Sequence, residues 1–452
     1  MSSSVILDLS TPELSIACDG GTLVRRTVHP SGLRILSEQV PGAQSVSVGF
    51  WVPVGSRDEA ASTATAPSTF GSTHFLEHLL FKGTRTRTAL DIAVAFDEVG
   101  GEHNALTAKE HTCYYAKVQG ADLAMAVDVL ADMVADSIID ADEFATERNV
   151  ILEELAMADD DPADVAHERF FEALLADHPL GRPIGGTPET IRAVDRDAVW
   201  EHYQRWYRPE TLVVTVAGAV DHDELVELVG ASLTRAGWNL DQHATPVERR
   251  ATVAAPKRVA PVSVITRPLE QVNLFVGTPA LVATDPRRFV TSILNAVLGS
   301  GMSSRLFQEI REKRGLAYSV NSFANGYSDA GAFGMYAGCS AEATPKVLAL
   351  MLDELDRMAS DGITEAEHRR ALGQLRGASA LALEDSDTRM SRLGRSEIGS
   401  GEFLDFGAAL ERLRAVSRDD VQQLAGEFAA GAFTASAVGP VSELSHAKLA
   451  RG

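Results

Sequence analysis

Ser72-Thr-His74-Phe-Leu-Glu77-His78-Leu-Leu-Phe-Lys82-Gly83 is the stretch on which the reading of this chain turns. Its spacing predicts a helix over 74–82, capped by Ser72 or Thr73, with Lys82 in the last turn and Gly83 as the stop. In such a helix His74 and His78 stand at i and i+4, one above the other, where two imidazoles can grip one zinc ion. Glu77 lies one position before His78, so its carboxylate can reach a water on that ion without being a ligand. It is the candidate general base. Leu76, Leu79 and Leu80 supply apolar packing, and polar groups on an otherwise apolar helix need a partner, because burying them without one is costly. The pentapeptide alone is also what two unrelated histidines on a surface or core helix would give.

A catalytic zinc site takes a third protein ligand, and residues 140–158 are the place to look for it. Asp140-Ala-Asp-Glu143 reads as a capping box opening the periodic stretch Phe144 to Met157. Glu147 and Glu154 are seven apart, hence nearly eclipsed after two helical turns, with Val150 and Ile151 between them. One glutamate on a metal with the other supporting it fits this pattern. On the residues alone, a solvated acidic face is the ordinary reading of so charged a helix.

Asn104-Ala105-Leu106-Thr107 reads as a short strand after the Gly100-Gly101 turn. Arg311-Glu-Lys-Arg-Gly-Leu-Ala-Tyr318 sets a guanidinium and a phenol seven apart, across a helix end and a turn at Gly315. Taken alone, that is a charged helix end and a half-buried tyrosine.

Taken together, Gly55-Ser-Arg-Asp-Glu59, His74-Phe-Leu-Glu-His-Leu-Leu-Phe-Lys-Gly-Thr84, Gly100-Gly-Glu-His-Asn-Ala-Leu-Thr107 and His178-Pro-Leu-Gly-Arg-Pro-Ile184 resemble the pitrilysin/insulinase metallopeptidases, in their mitochondrial-processing-peptidase-like branch. H-x-x-E-H is the inverzincin form of the zinc-peptidase motif. The resemblance implies one zinc ion per chain held by His74, His78 and Glu154, with Glu77 as catalytic base and Glu147 behind the ligands. It implies that Asn104 and Ala105 lie on an exposed edge to which an extended peptide adds as a strand. Arg311 would bind a substrate carbonyl and Tyr318 would help stabilise the oxyanion. His103 and His111 are then surface or supporting residues. The stretch Ala60–Ser72, rich in Ala, Ser and Thr, is longer than the family's pattern and reads as an inserted flexible loop.

The fold implied is α+β: two homologous halves, each an antiparallel sheet covered by helices. Residues 22–235 would form the zinc-binding half, 236–261 a linker with Pro246, Pro256 and Pro261, and 262–452 a substrate-binding half. Ile139-Asp-Ala-Asp-Glu143 aligns with Ile363-Thr-Glu-Ala-Glu367, which sets Glu147 opposite Ala371 and Glu154 opposite Ala378. The second half also lacks H-x-x-E-H, so it cannot build the same site.

Composition agrees with a soluble enzyme. The 452 residues provide for two or more domains, and 45% hydrophobic with 23% charged residues is ordinary for a globular chain. Cys18, Cys113 and Cys339 are too few and too scattered for a disulfide framework or a metal cluster. The start of the chain has neither the basic region nor the apolar run of a secretory signal, and it lacks the early arginines of a transit peptide, so cytoplasm is the expected compartment. No run of 18 apolar residues predicts a membrane span. A net charge of −22 disfavours nucleic acid and anionic membrane as partners; an acidic chamber would attract cationic peptides, and plain solubility accounts for the charge equally well. The expected activity is endopeptidase cleavage of unfolded peptides or short precursor segments in a closed chamber, by a homodimer. The alternatives are a dedicated precursor-maturation peptidase and a non-proteolytic scaffold subunit of the same fold.

Overall fold

The computed structural model describes residues 4–63, 67–175, 178–251 and 262–449. Residues 252–261 of the expected linker and 64–66 of the inserted stretch lie outside the described residues. The chain divides into two compact units. The first comprises Met1–Leu155, Ile184–Arg249 and Ala380–Ala408; the second comprises Ala156–Pro183, Arg250–Ser379 and Ala409–Gly452. No described helix is long and apolar enough to cross a membrane.

The first unit holds a short ribbon of β1 (Ser4–Ile6) and β13 (Glu402–Leu404), and a seven-stranded sheet. Its strands are β2 (Glu13–Ala17), β3 (Leu23–Val28), β4 (Arg34–Gln39), β5 (Ser45–Val52), β6 (Glu102–Thr107), β7 (Thr112–Gln119) and β8 (Val213–Gly218), in the order β2-β3-β4-β8-β5-β7-β6. The central β5 shows how its sequence positions two layers, because successive side chains face opposite ways. Val46, Val48, Phe50 and Val52 enter one core with residues of α1 (Ser72–Leu79), α2 (Ala89–Asp97), α3 (Leu123–Asp136) and α4 (Ala141–Asp160). On the other face Ser47 bonds Ser386 at 2.7 Å, and Gly49 and Trp51 meet Met390 and Gly394 of the helix Ser386–Arg395. A Cβ at Gly394 would lie 2.3 Å from the Trp51 ring, so only glycine admits this approach. The same segment is anchored by charge: Glu397, fully buried, accepts from Arg26 and Arg34, both at 3.3 Å, and from Arg249 at 3.0 Å.

The second unit repeats the plan. Its strands are β9 (Val262–Thr266), β10 (Val272–Pro279), β11 (Ala317–Gly326), β12 (Gly331–Cys339) and β14 (Thr434–Gly439), in the order β11-β12-β10-β14-β9. Val272, Leu274 and Val276 of β10 face the helices Arg288–Leu298, Thr344–Asp361 and Arg418–Ala430. Phe275 faces the other way, onto Phe170 and Phe171 of α5 (Pro162–Leu175).

Both sheets thread alike. The comparison takes β4–β8 in the first sheet, with β2 and β3 added outside β4, and the five strands of the second. First and last strands pair in parallel (β4 with β8, β9 with β14); the last then pairs with the second, the second with the fourth and the fourth with the third. This shared order is that of a duplicated α+β unit. Each sheet therefore carries one parallel pair and is mixed rather than purely antiparallel. The units also differ from the contiguous halves 22–235 and 262–452. A sheet has two apolar faces, and the helices that follow it in sequence cover only one. The second face is covered by α5 in one unit and by Ser386–Arg395 in the other, so both units are discontinuous along the chain. Helix α4 starts at Ala141 and its counterpart at Glu365, the offset that aligns Ile139 with Ile363.

Candidate metal centre

The histidine-bearing helix is held at its start from outside. Its N-cap is Gly71, in a left-handed conformation with φ 89°, and neither Ser72 nor Thr73 caps it, because both lie inside the helix and are fully buried. Instead the buried carboxylate of Glu59 accepts from the Gly71 and Thr73 amides, each at 2.8 Å. An acceptor carrying negative charge there satisfies two orphan donors and complements the helix dipole. The last turn tightens over Leu80–Lys82 and ends at Gly83, φ 132°. Phe75, Leu76, Leu79 and Leu80 are buried in the core, with Phe75 stacked on Phe144 at 4.6 Å. That packing fixes which way the opposite face points.

On that face His74 Nε2 and His78 Nε2 are 3.2 Å apart, and Glu154 Oε2 of α4 lies 3.5 Å from the first and 3.4 Å from the second. Three donor atoms thus form a nearly equilateral triangle. Tetrahedral ligands about 2.1 Å from an ion are about 3.4 Å from one another, so one zinc-sized ion fits the group as it stands. Both rings are 15% exposed and Glu154 is 46% exposed, which leaves one side open for a further ligand.

The far nitrogens of the two rings differ in their partners. His78 Nδ1 is 2.9 Å from Glu147 Oε2, and Glu147 Oε1 is 2.7 Å from Lys82 Nζ. Burial works against a charge on Glu147, but the hydrogen bonds from Lys82 and His78 outweigh it and hold the carboxyl below the usual range. His74 Nδ1 is buried and faces the backbone of Gly185, at a geometry short of a full hydrogen bond. Burial, then the neighbouring His78, lowers the His74 pKa, which favours the neutral ring a metal requires. A Cβ at Gly185 would come 3.0 Å from Leu155 and 3.5 Å from His74 Nδ1. Glu77 is half-buried and has no hydrogen bond or ion pair among the described residues. Its charge reaches His74 and raises the tendency of that ring to hold a proton.

The remaining site residues fall in two places. Asn104 and Ala105 lie on β6, the edge of the first sheet, with Asn104 exposed and its Oδ1 accepting from the Ala105 amide at 2.8 Å. His103 is stacked on Phe96 at 4.3 Å, and His111 lies 5.4 Å from Trp51. Arg311 and Tyr318 belong to the second unit. Arg311 donates to the Tyr318 carbonyl at 2.9 Å, with its guanidinium 4.3 Å from the phenol ring centre. Tyr318 is 73% exposed rather than half-buried, and Arg311 lies near the end of a π-helix, Phe307–Glu312, which is the helix end ahead of the Gly315 turn. Glu59, Lys82 and Gly185 are the supporting residues that sequence reasoning passed over. Glu59 stands in a quoted family segment and Lys82 beside the motif, so both carried a signal.

A duplicated α+β scaffold with two histidines and a distant glutamate converging from one unit defines a class of metal-site chain. The family model described as insulinase (peptidase family M16) matches residues 34–188, and that described as peptidase M16 inactive domain matches residues 193–375. The chain belongs to the M16 family. It is 45% identical to an uncharacterized zinc protease of Streptomyces coelicolor, over 94% of this chain and 92% of the relative. A Mycobacterium tuberculosis counterpart of the same description is 45% identical, over 92% of this chain and 93% of its own. One from Bacillus subtilis is 36% identical, over 89% and 95%. The fold is shared with a protease from Helicobacter pylori (TM-score 0.80, 23% identity, 94% of this chain and 99% of that one). It is shared too with a peptidase M16 inactive domain from Pseudomonas fluorescens (TM-score 0.79, 19% identity, 94% and 100%).

Proposed function

We propose that this chain is a zinc-dependent endopeptidase that hydrolyses unfolded or extended peptides, acting as a homodimer in the cytoplasm. The observation that carries the reading is the triangle of His74 Nε2, His78 Nε2 and Glu154 Oε2, whose edges of 3.2 to 3.5 Å suit one tetrahedral ion. Zinc bound there supplies a Lewis acid for the peptide carbonyl and acidifies a water. Glu77, one residue from His78 and without a competing partner among the described residues, takes a proton from the attacking water and returns it to the leaving amine. Glu147 holds His78 in the tautomer that presents Nε2. An extended peptide adds to the β6 edge at Asn104 and Ala105, binding through its main chain. Arg311 and Tyr318 are assigned to the substrate carbonyl and the oxyanion. The intact quartet of Glu77, His74, His78 and Glu154 speaks against a pure scaffold role.

Zinc content tests the assignment. Wild-type protein and Glu77→Gln are expected to carry one zinc per chain, while His78→Ala and Glu154→Ala lose it on dialysis. Zinc retained in both ligand variants as tightly as in the wild type would sink the proposed ligand set.

A further inference from the structure

Behind His78, away from the triangle, two contacts run in series. Glu147 takes His78 Nδ1 on one carboxylate oxygen at 2.9 Å and Lys82 Nζ on the other at 2.7 Å. Lys82 follows His78 by one helical turn, so a single segment supplies both the ligand and the cation, and α4 supplies the carboxylate between them. Glu147 is 2% exposed. A carboxylate so buried keeps its charge through strongly donating partners, and the Lys82 ammonium is one while the N–H of an imidazole bound to a cation is the other.

We propose that Lys82 is a positioning residue that sets the charge of the metal centre, acting through Glu147 on His78. The ammonium competes for the carboxylate that would otherwise pull on the His78 N–H, so His78 gives less electron density to the ion. Counting charges makes the consequence concrete. Glu77, Glu147 and Glu154 contribute three negative charges and Lys82 one positive, a balance of minus two that matches a divalent ion. Without Lys82 the balance is minus three. That excess holds a cation more tightly and blunts it as a Lewis acid, since a nearby negative charge stabilises the ion and opposes loss of a proton from its water. Lys82 therefore trades affinity for reactivity. The inference rests on the zinc-peptidase reading above.

The test pairs two measurements on Lys82→Met, Lys82→Gln and Lys82→Arg: the zinc dissociation constant, by competition with a chromogenic chelator, and kcat on a quenched peptide. The neutral variants are expected to bind zinc roughly tenfold more tightly while kcat falls roughly tenfold, and the arginine to return both towards wild type; partners behind metal-bound histidines command effects of this size. Melting of the zinc-free proteins identifies a variant that does not fold, and the second neutral variant then takes its place. A lysine that only props the helix end would lower affinity and kcat together. That result, or no change in either, overturns the proposal while leaving the peptidase reading intact. A wild-type protein that binds no zinc and cleaves nothing overturns both.

Discussion

At the scale of single residues, the centre is built by contacts that act on the histidines from behind. Glu59 shows the principle at the helix start. Its two 2.8 Å bonds to the Gly71 and Thr73 amides span the inserted stretch and fix where the helix begins. Glu59→Ala leaves two buried donors unsatisfied, a cost of about 1–3 kcal/mol for each such group. The expected outcome is a lower melting temperature together with weaker zinc binding, read by calorimetry and chelator competition; unchanged melting would show that the loop can replace the cap. His74, Glu77 and His78 were legible because the motif is contiguous and its chemistry is local. Glu154 was legible only through resemblance, since seven-residue spacing on an acidic helix is equally the pattern of a solvated face. Glu59 was not read as a cap, because Ser72 and Thr73 are better capping residues by type and only tertiary packing decides that both are buried.

At the scale of elements, the histidine helix leans on its neighbours, and one of them carries a titratable group. His202, on the helix Arg196–Trp206, is 3% exposed and lies 3.4 Å from the Thr73 hydroxyl. Burial, aided by the charge of Arg205, pushes its pKa down from 6.5 to about 4. The folded state thus prefers the neutral ring. Its contribution to stability is complete above pH 6.5, erodes as pH drops below that value, and is gone once pH falls through about 4. Melting temperatures measured between those limits are expected to fall with pH in the wild type and to fall less steeply in His202→Asn. Equal slopes would remove His202 from the account. Strand and helix positions were largely readable from alternation and capping, as at Leu23–Val28 and at the helix opened by Asp140. The choice of helix for each sheet's second face was not. Phe170 and Phe171 are apolar in any reading, but that they cover Phe275 is set by packing between segments far apart in sequence.

At the scale of the whole molecule, two sheets threaded in one order show a duplication in which the quartet survives in a single copy, within the first unit. The M16 family model described as inactive falls on residues 193–375, where no H-x-x-E-H occurs. A chain with a net charge of −22 should favour cationic peptides over anionic ones, and basic sequences are the right probe of activity. The most direct measurement is cleavage of an internally quenched basic peptide by the purified protein as isolated, after chelation, after zinc is restored, and with Glu77→Gln in parallel. The account predicts cleavage that chelation abolishes, zinc restores and the mutant lacks, with turnover lowered by at least the roughly 10²–10⁴-fold that a general base supplies. Native-rate cleavage by Glu77→Gln, or cleavage indifferent to chelation, would contradict it.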